Sequence, residues 1–359
     1  AADDLETYHE NRAVFRRIWL RPRILRNVRY VDPSTKILGI PSALPFYITA
    51  TALGRMGHPD GELNLTRAAA KTGLIQMIPT LSSVSFDEII DARNQEGGPA
   101  QFFQLYVSTD RNVVANMLRR AEETNVKAIF VTVDAPQLGR REQDMRMHFV
   151  DEGSNVQGGH VEKRDEGAAR AITSFIDPSF DWDDVLWMKR QTRLPILLKG
   201  VQTWEDAVQA YEMGLAGVVL SNHGGRQLDF ARSGVEVLEE VMRELRKRGS
   251  FPNPAFQVMV DGGFRRGTDI LKALAMGATA VGIGRPFLYA YSAYGVDGVI
   301  HAINLLRDEL EMNMRLIGAR SIEELVPSMV DLSALHNHTG AVFPKQDQSV
   351  LDFMEKSRL

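Results

Sequence analysis

Short runs rich in branched apolar residues, each closed by a polar residue or a glycine, recur eight times with helix-patterned segments between them, and this alternation predicts a (β/α)8 TIM barrel. Two further observations agree. A chain of 359 residues, 44% hydrophobic and 25% charged, is large enough for one such barrel. None of the eight runs is followed by the Gly-x-Gly-x-x-Gly turn that a doubly wound dinucleotide-binding sheet would carry.

In chain order, an N-terminal arm (1–40) comes first. It interleaves Arg16, Arg17, Arg21, Arg23, Arg26 and Arg29 with Phe15, Ile18, Trp19, Leu20, Ile24 and Leu25, which predicts an arm packed under the barrel with a solvated basic edge. Strands are expected at 45–50, 74–81, 102–107, 128–134, 195–200, 217–222, 257–263 and 280–285. The segments 110–124, 203–213, 234–248 and 268–276 show the 3.6-residue apolar period of helices lying on a sheet, and a further helix starts near Asp181. After the fourth strand the rhythm breaks for about 45 residues. This insertion (142–180), rich in glycine and in charges of both signs over 151–170, reads as a lid or mobile loop on the strand-exit face. A tail (341–359) carries Val342, Phe343, Val350, Leu351, Phe353 and Met354, too little to bury alone, and should dock on its own barrel or on a neighbour's. The whole chain, 1–359, reads as a single domain.

Composition excludes several classes. A net charge of -4 gives no basis for sequence-independent nucleic-acid binding. No apolar run approaches the roughly 18–20 residues of a membrane span. With no cysteine there is no disulfide, thiolate nucleophile or iron–sulfur ligation within the chain. His336-Asn337-His338 lacks the additional ligand a metal site needs, and Gly57-His58-Pro59-Asp60-Gly61 reads as the turn after the first strand; both are expected in loops, with no metal bound.

In a barrel of this kind the chemistry sits at the C-terminal strand ends. Those ends bring Thr51, Gln104, Tyr106, Thr132, Asp134, Lys199, Ser221, His223, Arg226, Asp261 and Arg285 to one mouth. The last two strands open helices through Asp261-Gly262-Gly263-Phe264-Arg265 and Gly282-Ile283-Gly284-Arg285-Pro286. Small residues, helix N-termini and arginine forks together suit a phosphate. His223, followed by two glycines and an arginine, is a candidate general base. Asp134 could stabilise its protonated form, and Arg141 and Arg226 could hold a substrate carboxylate. Lys199 ends the apolar run 195–198, which suits either stabilisation of an anion or a Schiff base.

The stretch Ser221-Asn222-His223-Gly224-Gly225-Arg226-Gln227-Leu228-Asp229, with the strand ends above, resembles the FMN-dependent L-2-hydroxy-acid dehydrogenase and oxidase family over residues 3–335. Asp87-Glu88-Ile89-Ile90, Phe175-Ile176-Asp177-Pro178 and Gly284-Arg285-Pro286-Phe287-Leu288-Tyr289-Ala290 look most like the flavodehydrogenase part of the fungal lactate flavocytochromes. The resemblance implies FMN as cofactor and His223 as the base, paired with Asp134. It implies Arg226 and Arg141 on the carboxylate, Tyr106 on the hydroxyl or keto oxygen, and Lys199 beside the anionic reduced flavin. Gln104, Thr132 and Ala50, Thr51 and Ala52 would line the flavin ring, with Ser221, Asp261, Gly262, Gly263, Arg265, Gly284 and Arg285 on the rest of the cofactor. Ala52, Leu81, Leu138, Phe175 and Ile176 would line the side-chain pocket.

The resemblance further implies oxidation of an L-2-hydroxy acid such as L-lactate or L-mandelate, a cytochrome as electron acceptor and a homotetramer in the mitochondrial intermembrane space. Haem b is implied only where a cytochrome b5-like domain precedes Ala1. Two departures stand out: the family's second substrate-binding tyrosine would also precede Ala1, and Pro79 replaces a serine that commonly contacts the flavin. The alternatives are an oxygen-using oxidase of the glycolate or lactate type, which the peroxisome-like ending Ser357-Arg358-Leu359 would suit, and a Schiff-base aldolase or isomerase barrel.

Overall fold

The computed structural model describes residues 1–146 and 175–338. Eight parallel strands, β1 (Phe46–Ile48), β2 (Met77–Pro79), β3 (Phe102–Leu105), β4 (Ile129–Thr132), β5 (Ile196–Val201), β6 (Gly217–Leu220), β7 (Gln257–Asp261) and β8 (Ala280–Ile283), lie in the order β1-β8-β7-β6-β5-β4-β3-β2. The ring closes where the Ile48 N–H donates to the Ile75 carbonyl at 3.0 Å, with a parallel bridge from Ile48 to Gln76. Outside run α1 (Leu63–Thr72), α2 (Phe86–Gln95), α3 (Arg111–Glu123), α4 (Trp182–Gln191), α5 (Trp204–Glu212), α6 (Gly234–Lys247), α7 (Gly267–Met276) and α8 (Arg285–Ile317). Their starts follow from the sequence: Ser85, Asp110, Asp181, Thr203 and Ser233 each accept a backbone N–H from the first turn of the helix they precede.

Tyr47, Met77, Phe102, Phe130, Leu197, Val219, Met259 and Ala280 fill the barrel interior. A hairpin of Thr35–Ile37 and Ile40–Ser42 plugs its lower end: Ile37 is fully buried, and the Leu38 N–H donates to Gln257 Oε1 at 2.9 Å at the start of β7. Several strands stop short of the expected bounds at the upper end. There the backbone leaves the extended region at His223 (φ 58°), Gly224 (64°), Gly262 (97°) and Gly263 (83°), freeing those residues for the mouth.

The arm is corrected in two ways. Its first residues do not lie under the barrel; the helix Glu6–Ala13 crosses the upper mouth. The Asp229 carboxylate accepts the N–H groups of Thr7 (2.8 Å), Asp4 (3.1 Å) and Glu6 (3.3 Å), and Asn11 and Asn222 exchange amide hydrogen bonds at 2.9 Å. Of the apolar arm residues, Phe15 and Ile18 are buried, but Trp19, Ile24 and Leu25 are exposed; Trp19 lies in a two-residue surface ladder, Trp19–Leu20 with Val330–Asp331. Arg16, Arg21, Arg23, Arg26 and Arg29 are exposed as expected, while Arg17 pairs with Glu10 and Glu236. A second correction concerns His336-Asn337-His338, expected in a loop. Its backbone belongs to the helical segment Ser333–His338, which opens where the Ser333 N–H donates to Asp331 Oδ1 at 2.9 Å. Of the lid expected at 142–180, residues 147–174 lie outside the described residues and Glu142–Arg146 form a short helix; the docking tail expected at 341–359 lies wholly outside them. Among the described residues no helix is long and apolar enough to cross a membrane.

Asp229→Ala should release the Glu6–Ala13 helix, since three donors lose an ionised acceptor. Loss of about 2–3 kcal/mol is expected from denaturant unfolding. Burial opposes the Asp229 charge, but the Thr7, Glu6 and Phe230 N–H groups hold its pKa below the ordinary carboxylate value. Its contribution is therefore complete above that ordinary value and lost as pH falls through the lowered one.

Candidate active site

His223 follows β6 in a left-handed conformation that turns its ring across the mouth toward the end of β4. Its Nδ1 lies 2.9 Å from Asp134 Oδ1, and its Nε2 lies 3.3 Å from the Tyr106 hydroxyl beyond β3. The Asp134 side chain is only 1% exposed. Burial works against its charge, but His223 and Lys199 outweigh burial and hold the carboxyl below its usual range. The ionised carboxylate can only accept, so Nδ1 carries the proton and Nε2 presents a lone pair. Burial lowers the His223 pKa; Asp134 opposes the shift, and Lys199 and Arg226 add to it. The imidazole is thus neutral near pH 7, ready to take a proton. Burial raises the Tyr106 phenol, which stays a donor. Room for Asp134 comes from Gly200 (φ 110°), where a Cβ would lie 2.5 Å from the Asp134 carboxyl carbon and where the β5–β6 register shifts.

Below this pair, Lys199 Nζ lies 3.3 Å from Asp261 Oδ2, and Ser221 Oγ donates to Asp261 Oδ1 at 2.5 Å while accepting the His223 N–H at 3.0 Å. Burial depresses the Lys199 pKa, but Asp261, Asp134 and Tyr106 prevail and raise it. A held ammonium stabilises an anion and is no Schiff-base nucleophile at neutral pH. Gln104 donates to Thr132 Oγ1 at 2.9 Å and accepts from the Thr80 N–H at 3.2 Å, across β2, β3 and β4.

Four arginines gather above. Burial lowers Arg226 to about 10, with Arg141 adding to the shift, and burial also lowers Arg141, Arg285 and Arg265, each with a neighbouring arginine contributing. Among the described residues none of the four makes an ion pair. Arg285 donates to the Gly224 carbonyl at 2.8 Å and lies over the Tyr8 ring at 5.0 Å. Arg285 opens α8 and Arg265 lies just before α7. Guanidiniums at two helix N-termini fit a phosphate, and Arg141 with Arg226, toward which Asp144 supplies some countercharge, fits a second anion.

Leu81, Tyr106, Ala135 and Ile176 form a buried cluster extended by Ala52, Leu53, Leu138 and Phe175, so all five expected pocket residues meet beside Tyr106. Ala50, Thr51 and Gly284 adjoin at the β1 and β8 ends, a Cβ on Gly284 lying 3.8 Å from Thr51 Oγ1. The expected residues thus converge on one mouth. Tyr8, Asn11, Thr80 and Gln227 join them without having been assigned a role; Thr80, at the end of the expected strand 74–81, and Gln227, within the 221–229 stretch, stood where a signal could have found them.

Histidine, carboxylate, lysine, arginine and tyrosine move protons and hold anions, and a barrel gathering them where a phosphate also fits is an enzyme of the cofactor-binding class. Residues 1–332 match the family model of FMN-dependent dehydrogenases, and the chain belongs to that family. It is 53% identical over 338 residues to an L-lactate dehydrogenase (cytochrome) of Wickerhamomyces anomalus, covering 94% of this chain but only 58% of that protein. A glycolate oxidase 3 of Arabidopsis thaliana is 44% identical over 90% of this chain and 87% of its own length. Among solved structures, a substituted flavocytochrome b2 with pyruvate bound superposes with a TM-score of 0.85 at 47% identity, over 98% of this chain and 85% of that one. A mandelate oxidase with (S)-4-hydroxymandelic acid gives 0.83 at 36%, over 92% and 91%. The family's cofactor is FMN; Arg265 and Arg285, in no ion pair among the described residues, and the buried Lys199 cation fit its phosphate and ring as donors.

Proposed function

We propose that the protein oxidises an L-2-hydroxy acid to the 2-keto acid and passes the electrons to a cytochrome. One observation carries this reading: the His223 imidazole, held 2.9 Å from the Asp134 carboxylate, stands at the same mouth as Arg141 and Arg226, which form no ion pair among the described residues. FMN, when bound, takes the two electrons that the hydroxy acid gives up. Arg265 and Arg285 would hold its phosphate, with Gly262, Gly263 and Gly284 allowing close approach. Asp261 and Ser221 would lie along the ribityl chain, and Gln104, Thr132 and residues 50–52 along the ring. Lys199 supplies a fixed positive charge at the mouth. Arg226 and Arg141 bind the carboxylate, the Tyr106 hydroxyl donates to the substrate oxygen, and His223 Nε2 takes a proton, the imidazolium being stabilised by Asp134.

Support for the substrate class comes from the names of the relatives together with the apolar cluster of Ala52, Leu81, Leu138, Phe175 and Ile176. A methyl or an aryl group would occupy it, so L-lactate or L-mandelate should exceed glycolate in kcat/KM by about 10-fold or more, the value of one filled apolar site. Steady-state comparison of the three acids tests this; preference for glycolate goes against the pocket. A second reading, an oxygen-using oxidase, is favoured by the glycolate and mandelate oxidase relatives. Anaerobic reduction followed by air separates them: slow reoxidation by oxygen and fast reoxidation by cytochrome c support the dehydrogenase.

Because burial lowers His223, the acid limb of kcat/KM should fall below the ordinary histidine value of about 6.5. The base is lost only as pH drops through the lowered pKa, so activity should persist at mildly acidic pH. A limb at or above the ordinary value contradicts the assignment.

A further inference from the structure

The geometry points to Gln227 as the positioning residue that holds the loop after β4 against the loop after β6, and so sets Asp134 and Arg141 in register with His223 and Arg226. The inference rests on the function proposed above. Gln227 is buried, and both ends of its amide are engaged. Nε2 donates to the Asp134 carbonyl and to the Gln137 carbonyl, each at 2.8 Å. Oε1 accepts the Gly139 N–H at 3.1 Å and Arg141 Nη2 at 3.4 Å. One side chain therefore touches the backbone of the residue that orients the base and the guanidinium expected on the carboxylate. The loop is pressed close at the same place: a Cβ on Gly139 would lie 2.5 Å from the Arg226 carbonyl oxygen and 2.6 Å from that of Gln227, and Arg141 Nε donates to the Arg226 carbonyl at 3.3 Å. An amide suits this position because it alone offers two donors and an acceptor without a charge; a glutamate would face two carbonyls with no proton to give.

Gln227 itself lies behind the mouth, so its removal should act through its neighbours. Among the described residues the groups that face His223 are Asp134, Tyr106, Lys199 and Arg226, of which Asp134 and Tyr106 touch the ring. In Gln227→Met, Asp134 and Arg141 drift and FMN ligands are untouched. FMN content and the visible spectrum should stay as in the wild type, while KM for L-lactate and the Kd of oxalate, an unreactive dicarboxylate read by flavin absorbance, both rise about 10- to 100-fold. Because Asp134 raises His223, its drift should also move the acid limb of kcat/KM to lower pH. Gly139→Ala displaces the same loop from its other side and should weaken oxalate in the same direction, which keeps the test decisive where one variant does not fold.

A folded, FMN-loaded Gln227→Met protein with wild-type KM, oxalate affinity and pH limb overturns the inference. The two readings fail separately. A wild-type protein that no 2-hydroxy acid reduces removes the proposed function, whereas the oxalate comparison still reads the loop.

Discussion

His223→Gln should leave FMN bound but slow flavin reduction by L-lactate about 10²- to 10⁴-fold in anaerobic stopped flow, the usual span for loss of a positioned general base. Glutamine keeps a donor near Asp134, so the buried carboxylate is not stranded, but it has no basic lone pair facing Tyr106. The phosphate-side arginines do not depend on the ring: Arg285 is anchored on the Gly224 carbonyl and Tyr8. Cofactor content should therefore match the wild type. Asp134→Asn should give the complementary result, a slow enzyme with modest binding loss, if the carboxylate acts on the proposed reaction by stabilising the imidazolium. Near-normal reduction in the histidine variant would remove it as the base. A large binding defect with normal chemistry in the Asp134 variant would move that residue to the substrate.

The strand ends were legible because a barrel forces them to one face. Once eight apolar runs were counted, His223, Asp134, Lys199 and Arg285 had to share a mouth although they lie far apart in sequence. That Arg265 and Arg285 stand at helix starts beside glycines was legible for a local reason, since both lie in short glycine-containing loops that open helices. What covers the mouth was not. Asn11 meets Asn222 across 211 positions, and neither residue differs locally from an ordinary helix or turn asparagine. The arm's alternation of arginine and apolar residues correctly gave a basic edge but misplaced Trp19, Ile24 and Leu25, because local pattern cannot say which apolar residues find a partner. Gln227 lay inside a recognised stretch and still carried no readable role, since its partners are backbone atoms of a distant loop. Pro79, where the resemblance leads one to expect a serine, is the last residue of β2, beside Thr80, whose N–H donates to Gln104.

Lys199→Met should cost about 3–5 kcal/mol in unfolding free energy, because among the described residues it leaves the buried Asp261 carboxylate with the Ser221 hydroxyl alone as partner. Each side chain of the pair is only 7% exposed, so water does not replace the lost ammonium. The double variant Lys199→Met with Asp261→Leu removes both charges from the same volume. Replacing a buried pair by apolar residues is often neutral, so stability should return to within about 1–2 kcal/mol of the wild type. Function should not return with it. If Lys199 is the cation that favours a negatively charged reduced cofactor, and Asp261 holds that cation and lies along the ribityl chain, the double variant should be stable yet bind FMN weakly and reduce it slowly. Denaturant unfolding, FMN titration and anaerobic reduction read the three effects separately. A double variant that recovers stability and reduction together would show that the pair serves only the fold. A single variant as stable as the wild type would show that Asp261 does not depend on the lysine for its place in the fold, and that the charge at this mouth is set elsewhere.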